Sequence, residues 1–172
     1  PAPERYDLGG LVSYGYEDAA TFIVPIGVPA DFQSQGPLKI DAEIFYLICS
    51  DVCLPGEASL SIALPMSAKG AAIEPSEAAA RFEVARASQP SADSIWQLEP
   101  QLGETSLTVR VKGPELPDTL YFYSAAEGMV DPNEPQPYRI EDGVGLLELP
   151  LDFAFDPFVE LDLKGVLQSG SN

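Results

Sequence analysis

The chain has 172 residues, 45% hydrophobic and 9% aromatic, enough apolar material to bury a core. Nine basic residues against 27 acidic ones give a formal net charge of -18. That balance argues against nucleic acid and anionic lipid as partners, because both require a cationic surface. The chain has no histidine and only two cysteines, which excludes the usual serine or cysteine triad and argues against a zinc site. No stretch approaches the ~20 apolar residues of a membrane span. The 17 prolines and 14 glycines are scattered, as expected of short strands joined by turns.

Residues 1–10 read as a loop, from their prolines and the Gly9-Gly10 pair. Residues 11–16 carry Tyr14-Gly15-Tyr16, an aromatic cluster suited to packing or to lining a site. Residues 21–26 read as a strand that Pro25 assigns to an edge or a bulge. After a polar loop over 29–37, residues 38–44 alternate apolar and polar, as in a half-buried strand. The β-branched and aromatic run 44–48 then reads as a buried strand, and 59–64 as a second one. Between them lies Cys49-Ser50-Asp51-Val52-Cys53. If its three central residues turn the chain between antiparallel strands, the two cysteines oppose each other, with Cα atoms about 4.5–5.5 Å apart. A disulfide fits that spacing. It serves either as an inert staple or as a working part, and spacing does not decide between them. The thioredoxin-type motif has a different spacing, Cys-x-x-Cys. A cysteine pair at disulfide spacing points to an oxidising compartment such as the periplasm. No signal peptide precedes Pro1, so a processed or excised piece of a longer protein is expected.

Residues 74–86 form the one convincing helix pattern. Pro75 lies near its first turn, acids at its start and Arg81 and Arg86 later, with an apolar stripe of Ala78, Phe82 and Ala85. Strand patterns resume at 106–112, 119–123, 145–149 and 159–163. The acidic turn Asp131-Pro132-Asn133-Glu134-Pro135 lacks the glycine and spacing of a known calcium loop. No metal site, cofactor or glycine-rich phosphate loop is expected. The pattern predicts an all-β chain of two β-sandwich domains, residues 1–68 and 90–172, joined by a helical connector over 69–89.

The block from Tyr46 through Cys49, Cys53 and Pro55-Gly56 to Ala58, with Pro1-Ala2-Pro3-Glu4-Arg5-Tyr6 and Tyr14-Gly15-Tyr16-Glu17-Asp18, resembles the amino-terminal periplasmic region of DsbD/ScsB-type thiol:disulfide interchange proteins. In the second half, Leu120-Tyr121-Phe122-Tyr123, Asp131-Pro132, Pro135-Gln136 and Gly165-Val166-Leu167 are similar to the segment that follows in ScsB-like members. The resemblance implies an immunoglobulin-like sandwich carrying a redox-active cysteine pair. It also implies a protein-disulfide reductase module of the inner-membrane-tethered, periplasmic kind. Its partners would be thioredoxin-fold periplasmic proteins or domains and a membrane-embedded electron-transfer domain of the same longer protein. Such systems also serve cytochrome c biogenesis. By the same resemblance Cys53 forms the mixed disulfide with partners and Cys49 completes the exchange. A cap loop shields the sulfurs in that family, and Tyr6, Leu8, Tyr14 and Tyr16 lie in the matching region. Strands that family members carry before the Pro-Ala-Pro-Glu block are missing, so the first sandwich is expected to be incomplete.

The residues add their own constraint. Asp51, Glu43 and Glu57 disfavour a thiolate and no cation lies nearby in sequence, which predicts a pair that reacts slowly without an activated partner. Two other classes compete. One is a secreted immunoglobulin-like adhesion or spacer domain with a structural disulfide. The other is a carbohydrate-binding sandwich that stacks sugars on Tyr14, Tyr16 or Trp96.

Overall fold

A computed structural model describes residues 1–7, 9–33, 36–50, 52–67, 71–72, 75–92, 94–156 and 163–170. The chain divides into two compact units, one made of Pro1–Phe22 with Ala85–Asn172 and the other of Ile23–Val84. These bounds differ from those suggested by sequence, because residues 1–22 group with the carboxy-terminal half and the division falls inside the helix.

The larger unit is built on a four-stranded antiparallel sheet. Its strands are β5 (Gln97–Leu102), β6 (Ser106–Lys112), β8 (Tyr138–Glu141) and β9 (Val144–Pro150), in the order β5-β6-β9-β8. A second, two-stranded antiparallel sheet pairs β7 (Leu120–Ser124) with β10 (Gly165–Ser169). β6 alternates strictly, burying Leu107, Val109 and Val111 and turning Thr108 and Arg110 outward. These residues meet Leu147 and Leu149 of β9 and, from the second sheet, Leu120 and Phe122. Two layers thus share one core, the arrangement a two-sheet sandwich requires. β1 (Glu4–Asp7) and β2 (Val12–Gly15) form a hairpin that belongs to this unit. Arg5 Nη2 donates to the Pro132 carbonyl at 3.2 Å, and the Val12 amide donates to Asn133 Oδ1 at 3.2 Å. The acidic turn is held by its own contacts, with Asp131 Oδ1 accepting from the Asn133 amide at 2.9 Å and from Asn133 Nδ2 at 3.1 Å.

The smaller unit holds one long hairpin, β3 (Leu38–Cys49) paired antiparallel with β4 (Cys53–Leu64) over its whole length. α1 (Ala79–Ala87) spans the division between the units.

The all-β class and the single helix among the described residues agree with the sequence reading, and several details differ. Residues 1–10 contain β1 where only a loop was expected. The pattern at 21–26 forms no strand, and Phe22, Val24 and Ile26 are exposed. α1 begins at Ala79, so its first turn holds no acid, while Arg86 does lie in the last turn. Of the predicted helical stripe only Ala85 is buried, and Phe82 is exposed. The run 44–48 is part of β3, but it is exposed rather than buried, since among the described residues β4 is its sole strand partner. The predicted strand 159–163 lies largely outside the described residues. The sequence reading overlooked β5, β8 and β10.

Candidate functional site

Residues of β3 and β4 pair one to one from Leu38↔Leu64 to Cys49↔Cys53. Side chains alternate between the faces of a strand, so this register sorts the hairpin into two surfaces. One face carries Leu38, Ile40, Ala42, Ile44, Tyr46 and Ile48 against Leu64, Ile62, Leu60, Ala58, Gly56 and Leu54. It is apolar from end to end. The Tyr46 ring lies across Gly56, where an added Cβ would sit 2.5 Å from Tyr46 Cε2. Only glycine leaves room for it. The opposite face carries Lys39, Asp41, Glu43, Phe45, Leu47 and Cys49 against Ala63, Ser61, Ser59, Glu57, Pro55 and Cys53. It is polar or small at its root and ends in the cysteines.

The two cysteines are joined, with an S–S distance of 2.04 Å and Cα atoms 4.0 Å apart. The sequence reading therefore holds for the pairing, and the backbones are closer than it anticipated. The Ser50 amide donates to the Val52 carbonyl at 3.2 Å and closes the loop beyond the disulfide. A Cα separation this short marks a non-hydrogen-bonded pair, and so does every second row behind it, including Leu47↔Pro55. Pro55 sits at a position whose amide would point out of the ladder, so its missing N–H costs no strand bond.

Both cysteines are exposed. Cys49 ends a strand whose sequence reads as buried; the strand is not buried, and Cys49 is as open as Cys53. Of the three carboxylates expected to disfavour a thiolate, Asp51 lies outside the described residues and the other two stand well back from the sulfurs. Glu57 lies four residues from Cys53 along β4, about 13 Å away at strand rise, and Glu43 lies six residues from Cys49, about 20 Å away. Both separations exceed the ~8 Å over which charges act at physiological salt. Neither carboxylate tunes the sulfurs strongly.

The cap candidates belong to the larger unit. Tyr6 donates to Glu4 Oε2 at 3.1 Å. Partial desolvation, that bond and the Glu4 and Glu17 carboxylates push its phenol up to about 12. Tyr14 packs edge-on against Tyr123, ring centroids 5.5 Å apart, and its hydroxyl pairs with that of Tyr121 at 3.0 Å. Desolvation first, then the Tyr14 contact, raise the Tyr121 phenol well above its ordinary range. Tyr16 stacks edge-on with Phe22 at 5.2 Å and donates to the Pro1 carbonyl at 3.3 Å. Leu8 lies outside the described residues. Trp96, the third candidate sugar platform, packs against the core and donates Nε1 to the Glu115 carbonyl at 2.8 Å. A cavity of about 430 Å³ in the larger unit is lined by Trp96, Phe122, Leu147, Leu163 and Leu167 among others, with no ionisable side chain. Among the described residues no group of three or more Cys, Asp or Glu is placed to hold a metal ion.

Residues 1–65 match the family model of the N-terminal domain of thiol:disulfide interchange protein DsbD. The matched stretch contains both cysteines and the whole Cys-x3-Cys hairpin, and it agrees with the resemblance seen in the sequence. The similarities noted beyond residue 65 fall outside it. No curated protein and no solved structure matches the chain.

Proposed function

We propose that the chain is a periplasmic thiol-disulfide exchange module, a protein-disulfide reductase unit that works within a longer, membrane-tethered protein. The observation that carries this reading is the exposed Cys49–Cys53 disulfide at the tip of a hairpin, inside the residues that match the DsbD amino-terminal family. A staple has no need to stand at an open tip, whereas exchange requires in-line access to a sulfur.

In the charging half-reaction a thiolate of a thioredoxin-fold donor attacks Cys53 Sγ. The Cys49–Cys53 bond breaks, Cys49 leaves as a thiolate and takes up a proton, and a mixed disulfide forms. The donor's second thiol, losing its proton, then attacks the mixed disulfide and releases Cys53. The donor ends as a disulfide and the hairpin as a dithiol, two electrons and two protons richer. Delivery to an oxidised client runs the same steps in reverse, with Cys53 attacking and Cys49 resolving. The electrons would come from a membrane-embedded domain. The assignment of roles rests on the resemblance, because exposure does not separate the two sulfurs.

Cys49→Ser is expected to trap a mixed disulfide between Cys53 and a thioredoxin-fold partner, seen by non-reducing electrophoresis, and Cys53→Ser to trap little. Equal trapping by both variants would reverse or cancel the assignment. A redox titration decides against the adhesion or spacer reading: a working pair titrates above about -300 mV, a structural bond below it.

A further inference from the structure

The disulfide-bearing face of the hairpin changes character along its length. From the root, its rows are Lys39 with Ala63, Asp41 with Ser61 and Glu43 with Ser59, the composition of a face in water. The next two rows are Phe45 with Glu57 and Leu47 with Pro55, and then come the cysteines. Phe45 is 74% exposed and Leu47 65% exposed. Nothing in strand propensity confines large apolar side chains to these rows of an otherwise polar face. The opposite face is apolar and exposed too, so exposure alone does not single out Phe45 and Leu47; what does is that they interrupt a polar face on the two rows directly behind the disulfide. Rows on one face are spaced by two residues, about 6.8 Å. The patch therefore runs from roughly 7 to 14 Å behind the disulfide, within the footprint of a folded protein whose cysteine reaches it.

We infer that Phe45, Leu47 and Pro55 form the docking patch for the exchange partner, with Glu57 at its far edge as a charge contact. This inference rests on the exchange reading and names the partner's chemistry. The occupant is a thioredoxin-fold dithiol protein whose attacking sulfur is surrounded by apolar side chains, with a cationic group at the rim. Apolar contact at the centre supplies affinity, and Glu57 together with the chain's -18 charge selects the cationic rim. A small thiol needs only the sulfur and ignores the patch.

The test compares two reductants on the oxidised chain, reduced thioredoxin and dithiothreitol. Phe45→Ser and Leu47→Ser are each expected to slow reduction by thioredoxin about tenfold, the loss typical of a central contact residue. Reduction by dithiothreitol should stay within about twofold, which also reports that the hairpin is intact. Asp41→Ser, on the same face beyond the patch, should leave both rates unchanged. If thioredoxin reduces the wild-type disulfide and the two patch variants equally fast, the docking patch is refuted while the exchange reading stands. If both reductants slow together in the variants, the residues act on the hairpin itself and the patch is also refuted. If a changed sedimentation coefficient is the only effect, the patch joins copies of the chain and the inference fails. A wild-type disulfide that resists both reductants overturns the exchange reading and this inference with it.

Discussion

Glu99 illustrates what single contacts contribute here. Lys112 Nζ lies 2.8 Å from Glu99 Oε1, and Arg110 Nε lies 4.0 Å from its other oxygen. The hydrogen bond from Lys112, then its charge and that of Arg110, hold the carboxyl below its ordinary value of 4.5. A depressed carboxylate stabilises the fold above its unfolded value. That contribution fades as pH falls below about 4.5 through the lower folded value. Glu99→Gln should therefore lower stability slightly near pH 7 and converge with the wild type near pH 2. Denaturant midpoints at the two pH values measure this. A difference that persists undiminished in acid would assign the effect to packing instead of charge. The pair is exposed, so screening keeps it small.

At the scale of elements, edges and turns decide the larger unit. β8 and β9 are joined by Asp142-Gly143, with φ of 49° and 75°. Two positive φ values in a two-residue loop make a turn whose twist suits a hairpin, and Asp-Gly is a pair that tolerates them. β7 gains a partner of another kind. The Phe122 amide donates to Gln136 Oε1 at 2.8 Å, and Gln136 Nε2 donates to the Phe122 carbonyl at 3.0 Å. One side-chain amide imitates a neighbouring strand and satisfies both groups. Gln136→Ala should destabilise the chain by about 1–3 kcal/mol, because it strands a partly buried donor and acceptor together. Thermal or chemical unfolding measures it. A change under about 0.5 kcal/mol would mean that water replaces the amide fully.

For the whole molecule the dominant quantity is the charge of -18. At low salt its field extends well beyond contact distance and steers cationic partners; the screening length falls from about 10 Å at 0.1 M to about 3 Å at 1 M. Association with a partner that carries a cationic rim should therefore slow as salt rises. Reduction by dithiothreitol, whose attacking thiolate is itself anionic, should not slow. Stopped-flow rates across that salt range test the point, and a partner rate insensitive to salt would remove electrostatics from recognition.

Local rules acting alone sufficed to read the cysteine hairpin. Apolar runs flank a short break, and two cysteines that close a hairpin must oppose one another; hence the all-β class, the pairing of Cys49 with Cys53 and the strands over 106–112 and 145–149 were legible. Asp142-Gly143 carried an equally local signal for β8 that went unread, and Pro100 obscured β5, an edge strand where proline is tolerated. Other features depend on contacts distant in sequence. Strand propensity at 21–26 is satisfied only if an edge is available to pair with it, and among the described residues it takes none. Residues 1–22 join the larger unit through Arg5, Val12 and Tyr14, whose partners lie more than 100 positions away in sequence. Burial behaves in the same way. The apolar runs of β3 and β6 look alike as sequence, but β6 lies between two strands and beneath a second sheet, whereas β3 has one neighbour and stays exposed. Propensity belongs to the residue and made β3, β4, β6 and β9 legible; burial belongs to what packs against it, which only the tertiary structure decided.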